Sequence, residues 1–192
     1  MKVKASDIQK ELLRFARGTG SDIIIPNYYV GSYEMDVFKL NERGLITEYE
    51  IKVSRADLKN DFKKNKHNGW SKKTEQTNKH VELAAGRLPA NRFFFVVPVD
   101  MVDAELMPRH CGVIFYDEGS LQIVRPAPLL HKNPVDIKFY KTLAIGLSWR
   151  QQHLRGRLSR MKHELEMANT RAANNYKYFQ QVGGEAALDK QQ

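Results

Sequence analysis

A single cysteine, Cys111, stands in the 192 residues. One thiol closes no disulfide within a chain and builds no cysteine zinc cluster, and it suits a reducing compartment. With no His and acid placed to activate it, Cys111 reads as a small buried hydrophobe. Long apolar runs are missing as well. None approaches the roughly 20 residues that a membrane-spanning helix needs, so no membrane partner is expected. The opening stretch, MKVKASDIQKELL, has no apolar signal region. Secretion is therefore not expected, and the cytoplasm is the expected compartment. Internal repeats and low-complexity tracts are also absent.

What remains is ordinary globular composition, with 42% hydrophobic and 28% charged residues. The length allows one sizeable domain and is short for two. The net charge of +9 is uneven. Residues 52–80 hold nine Lys/Arg against three acids, a net of +6, and residues 132–162 hold eight against Asp136 alone, a net of +7. Two concentrated basic blocks suit a polyanionic partner, although a lysine run is also what a solvated face looks like.

Along the chain, Asp7 is placed to cap a helix through Ile8, Leu12, Leu13 and Phe15 that Gly18 and Gly20 end. Ile23–Ile25 and Tyr28–Val30 read as short strands on either side of Pro26. Tyr33 to Leu40 and Leu45 to Val53 read as an antiparallel pair around the turn Asn41-Glu42-Arg43-Gly44. Ser54 caps a helix carrying Leu58 and Phe62, with Asp57 in a capping-box-like place. Residues 63–73 read as a basic loop, and a helix is expected over 77–85. Phe93 to Val97 reads as a buried strand. Val113–Tyr116 and Leu121–Val124 flank the turn Asp117-Glu118-Gly119-Ser120. From Asp136 onward, Phe139, Leu143, Leu147, Leu154, Leu158, Met161 and Leu165 recur at helical spacing on a basic helix or helix pair. The order implies an α/β fold with a mixed central sheet flanked by helices.

The chemistry concentrates in YEMDVFKLNERGLITEYEIKVS, residues 33–54. Side chains alternate across a strand, so Glu48, Glu50 and Lys52 share one face while Tyr49, Ile51 and Val53 suit a core. An antiparallel neighbour brings Asp36 opposite Glu50. Two such carboxylates repel unless a hard cation bridges them. A lysine beside them can orient water or offset charge growing on a phosphorane. Glu-x-Lys on a strand is also common on solvated faces, and the surrounding order is what gives it meaning.

That order resembles the PD-(D/E)XK nuclease superfamily, most closely its small phage and prophage members. The resemblance rests on Asp36, on Glu50-Ile51-Lys52, and on Ser54-Arg55-Ala56-Asp57-Leu58. It extends through Lys79-His80 to Arg92-Phe93-Phe94-Phe95-Val96-Val97-Pro98, and covers roughly residues 5–131. It implies a restriction-endonuclease-like core around a four-stranded mixed sheet, and metal-dependent hydrolysis of DNA phosphodiester bonds. Asp36 and Glu50 would ligate Mg²⁺ or Mn²⁺, Glu11 on the first helix would join them, and Lys52 would assist the attacking water. Met35 stands where the family's proline would be. Residues 1–131 are then the nuclease-like domain, 132–180 a basic helical extension packed on it, and 181–192 a flexible tail.

For DNA contact, Lys63, Lys64, Lys66, Lys72 and Lys73 surround Trp70, which either stacks on a base or pins the loop to the core. His80 is either a phosphate-binding or catalytic group or an ordinary structural histidine. His67 reads as structural. Glu48 is expected at the surface. Arg150 and Arg157 lie on a helix that either follows the duplex or pairs with a second copy as a homodimer. The other functional class is a catalytically silent nuclease-fold protein that binds DNA or a protein.

Overall fold

The computed structural model describes residues 3–17, 20–30, 33–63, 65–66 and 77–188. They fall into two units, Met1–Asp136 and Ile137–Gln192. In the first, helix α1 (Ala5–Phe15) is followed by three strands, β1 (Ile23–Val30), β2 (Tyr33–Leu40) and β3 (Ile46–Ile51). Next come helix α2 (Arg55–Asp61), the two-residue strands β4 (Asn65–Lys66) and β5 (Thr77–Asn78), and helix α3 (Lys79–Ala84). Strand β6 (Arg92–Pro98), a 3-10 turn (Ala104–Leu106), β7 (Gly112–Asp117) and β8 (Ser120–Arg125) complete the unit. The second unit is one helix, α4 (Ile137–Leu188).

Six strands form one mixed sheet in the order β1-β2-β3-β6-β7-β8. β1, β2 and β3 are an antiparallel meander, β6 lies parallel to β3 and β7, and β8 returns antiparallel. The sheet thus has six strands where four were expected, with the β7–β8 hairpin at one end. Parallel β3 and β6 need a crossover, and α2, β4, β5 and α3 supply it.

The period-two alternation of β3 sorts its side chains onto two faces. On one, Tyr49 and Ile51 join Val37, Phe94, Val96 and Ile114 beneath Ile8, Leu12 and Ala16 of α1. On the other, Glu48 lies between Phe38 and Phe93 in register, and Glu50 lies beside Phe95. Phe62, at the C-cap of α2, packs on Phe95 at 5.6 Å between ring centres.

Several boundaries differ from those expected. Lys4, not Asp7, is the N-cap of α1, and Asp7 lies in the first turn, where its charge suits the positive end of the helix. β1 runs unbroken through Pro26, an edge position that tolerates a missing N–H. α3 is shorter than expected because Asn78 caps it, accepting from the N–H groups of His80 and Val81. The first unit reaches five residues beyond His131. Buried Asn91 accepts from Ile46 N–H and donates to the carbonyls of His131 and Asn133, and Val135 N–H donates to Gly44. The second unit is one helix that continues past residue 180 to Leu188, through the stretch expected as a tail.

β6 and β7 meet closely at Gly112, which is paired with Phe94. A Cβ there would run into the Phe94 ring and come within 2.6 Å of Ala127 N. Gly112→Ala is therefore expected to lower unfolding stability by about 1–3 kcal/mol, read from the urea midpoint at unchanged slope. An unaltered midpoint would mean the two strands separate easily.

Candidate active site

The acidic face of β3 is closed over by α2 and α3. Lys52 follows the last residue of β3, and its N–H donates to Val96 O at 3.0 Å, which carries the parallel pairing one step further. Its ammonium lies 2.7 Å from Glu50 Oε1 and 2.9 Å from Asp61 Oδ1. Asp61 is the last residue of α2, whose start is fixed by Ser54 accepting from Asp57 N–H. From the first turn of α3, Lys79 Nζ lies 2.7 Å from Glu48 Oε1 and 3.4 Å from Glu50 Oε2, above the Phe93 ring. Glu48, Glu50, Lys52, Asp61 and Lys79 are all at most 3% exposed.

Burial alone would lower the pKa of both lysines. For Lys52 the Glu50 and Asp61 carboxylates outweigh it, and for Lys79 the Glu48, Glu50 and Asp61 carboxylates do, so both are held above the usual range and remain ammonium groups. Burial pushes Glu48 upward, and the pull of Lys79 offsets only part of this. Three buried carboxyl groups thus face two ammonium groups.

A histidine pair continues the network. His80 Nε2 is 2.8 Å from Asp61 Oδ2, and His80 Nδ1 is 3.0 Å from His110 Nε2. A carboxylate only accepts, so His80 Nε2 carries a proton. His80 is buried against Phe62, Phe93 and Phe95.

Asp36 stands one step beyond the Val37–Tyr49 pair, across from Glu50 in the register of β2 and β3. Its Oδ2 accepts from Ile51 N–H at 2.7 Å, so the carboxylate is anchored to the backbone between Glu50 and Lys52. Asp36 is half-buried. Asp36, Glu50 and Lys52 therefore occupy neighbouring positions at the end of one strand seam. Glu11 does not join them by any contact of this kind. It sits on α1, over the Tyr49 face of the sheet, and takes Arg14 at 3.0 Å.

Lys63 is exposed just past α2, and Lys66 lies in β4 opposite Thr77. Lys64, His67, Trp70, Lys72 and Lys73 lie outside the described residues. Arg150 and Arg157 belong to α4. Glu48, expected at the surface, is instead buried, because the apolar neighbours in its row, Phe38 and Phe93, draw that face inward and Lys79 supplies its counter-charge. The sequence reading missed Asp61 and the pairing role of Lys79. Asp61 follows Leu58 by three residues, a spacing that puts both on one helix face, and this was the available signal. For His110 there was none.

Among the described residues, no group of three His, Cys, Asp or Glu side chains is arranged to hold a metal ion. Asp36 and Glu50 carry hard oxygen donors of the type Mg²⁺ binds; in the structure Asp36 Oδ2 takes Ile51 N–H, and the two Glu50 oxygens face the Lys52 and Lys79 ammonium groups.

No family model matches the chain. No curated protein matches it. Among solved structures, the chain is similar to one described as SPO1766 protein of unknown function from Silicibacter pomeroyi, with 23% identity and a TM-score of 0.54. The match covers 81% of this chain and 94% of the other. At that identity the likeness speaks for the fold alone. No helix among the described residues is long and apolar enough to cross a membrane.

Two outcomes follow for stability. Lys79→Met leaves Glu48 buried without its cation and is expected to cost about 3–5 kcal/mol. Adding Glu48→Gln should recover a measurable part, with a coupling of at least about 0.5 kcal/mol in a double-mutant cycle. Strict additivity would mean that the two groups do not interact. His110, half-buried, is pushed down to about 4 by burial and then by His80 and Arg125. Its folded form binds protons less readily than the unfolded chain, so its contribution is present above about pH 6.5 and is lost as pH falls toward 4. His110→Gln should therefore flatten the acid limb of the stability profile between those values.

Proposed function

We propose that this chain is a Mg²⁺- or Mn²⁺-dependent deoxyribonuclease with a restriction-endonuclease-like core. One observation carries the reading: the Asp36 carboxylate is tied to the N–H of Ile51, between Glu50 and Lys52, at the end of the β2–β3 seam. The connectivity supports it as well. A helix, an antiparallel three-stranded meander, a helical crossover and a strand parallel to the third are compatible with the core that the sequence resemblance implies.

Asp36 and Glu50 would hold the cation. When bound, such an ion polarises a phosphoryl oxygen and lowers the pKa of attached water. The chain's own residues do the rest. Glu50 and Asp61 fix the Lys52 ammonium from two sides, at 2.7 and 2.9 Å, so its charge is held in place. A preorganised cation of this kind stabilises negative charge growing on phosphorus without having to reorganise. His80 holds Asp61 from behind and so positions Lys52 indirectly. Exposed Arg55, Lys59 and Lys63 lie along and just beyond α2, on the chain leading away from Lys52, and give a phosphate backbone cationic contacts. A cytoplasmic place of action fits the single, buried thiol.

The burial of Glu50 and Lys52, both already ion-paired, favours a second reading: a silent nuclease fold that binds DNA without cutting it. One experiment separates the two. Purified protein is incubated with linear, nicked, branched and single-stranded DNA in Mg²⁺, Mn²⁺ or EDTA. Cleavage is expected only with metal. Asp36→Asn and Glu50→Gln should slow it by about 100-fold or more while the far-UV spectrum stays native. Salt-sensitive binding with no cleavage in either metal would establish the silent reading instead.

A further inference from the structure

α4 carries a seam that its own unit does not cover. From Leu154 one set of positions steps by four and three in strict alternation, Leu158, Met161, Leu165, Ala168, Ala172, Asn175 and Phe179, while Met167, Ala173, Tyr176 and Tyr178 fall outside it. Seven of these eight residues are apolar, and Asn175 is the one polar member. All are exposed, from 51% at Leu154 to 72% at Phe179. Gly156, the weak point for helix propensity, falls on the side away from the seam, where a Cβ would meet nothing.

The exactness of the seven-residue period decides what kind of surface covers the seam. On a straight helix such a stripe drifts by roughly 20° per heptad. Over the three and a half heptads from Leu154 to Phe179 it turns by roughly 70°, which a flat membrane surface does not follow, whereas a second helix that supercoils keeps contact along its whole length. The flanking positions then decide which helix. Arg150, Arg155, Arg157, Lys162 and Arg171 border the seam, with Glu164 as the one acid among them. A second copy in parallel would set Arg150 against Arg155 and Arg157 against Lys162. Antiparallel, it would set Arg155 against Lys162 and Arg150 against Arg171, with Arg157 and Glu164 as the favourable contact. Like charges at these flanking positions select against self-pairing.

We infer that α4 is one strand of a heterotypic coiled coil, whose partner is a helix with the same heptad seam and acidic flanks. This stands independently of the reading of the first unit.

The test uses the full chain and a labelled synthetic peptide of about four heptads with Leu at the seam and Glu on both flanks. Fluorescence anisotropy and sedimentation should show a one-to-one complex. Leu158→Asp together with Met161→Asp should weaken it by at least about tenfold. Both residues are exposed, so the helix signal of the unbound chain should not change. A peptide with Lys flanks should not bind. Three results would overturn the inference. In the first, the chain dimerises alone and the double substitution abolishes the dimer, which makes the occupant a second copy. In the second, an acidic peptide with Ala along the seam binds equally well, which leaves only charge attraction. In the third, duplex DNA or anionic vesicles bind α4 irrespective of the seam substitutions while the peptide fails to bind.

Discussion

Two ammonium groups inserted among three carboxylates are the contact on which the first unit's arrangement depends. Apolar burial alone would hold α2 and α3 somewhere on the sheet, because it is strong but has no direction. The ion pairs have direction. Lys52 reaches from the end of β3 to Asp61 at the end of α2, and Lys79 reaches from α3 back to Glu48 and Glu50. Taking any one of these charges out of water is costly, and the cost is met only when both helices are seated together. The cluster thus converts a loosely specified packing into one position.

The sheet separates stability from chemistry. Its α1 face is apolar at the centre, with Tyr49 and Phe94 stacked at 5.5 Å. Its other face has aromatic walls, Phe38, Phe93 and Phe95, around the charged row of β3. Low-polarity walls strengthen each charge interaction and raise the penalty for any group left unpaired. The parallel pairing of β3 with β6 then sets Lys52 at the carboxyl end of two adjacent strands, the side of an open α/β sheet where ligands generally bind.

Alternation made most of this arrangement legible in sequence. The parity of Glu48, Glu50 and Lys52 against Tyr49, Ile51 and Val53 gave both faces of β3, and the turn at Asn41–Gly44 gave the β2–β3 register that sets Asp36 across from Glu50. Burial was harder to read. A Glu-x-Glu-x-Lys strand looks solvated until the partner strands show Phe38 and Phe93 in the same row. Asp61 and Lys79 come from elements that sequence periodicity scarcely marks, because α2 spans seven residues and α3 six. His110 lies in a turn before β7 and reaches His80 only through tertiary contact. The β7–β8 hairpin was readable, but its addition to the sheet edge was not, since strand order follows from long-range pairing.

Charge counts mislead in the same way. The block 52–80 looks uniformly cationic, yet Lys52 and Lys79 are buried and paired with carboxylates, which cancel most of their long-range field. Among its described residues the outward cations are Arg55, Lys59 and Lys63. The block 132–162 is different. Arg155, Arg157, Arg160 and Lys162 are all exposed, so composition and surface agree there. A net charge attracts a polyanion only through the groups that solvent can see. The two basic stretches therefore do unlike work: one supplies internal counter-ions that assemble a site, and the other presents a cationic border to whatever approaches α4.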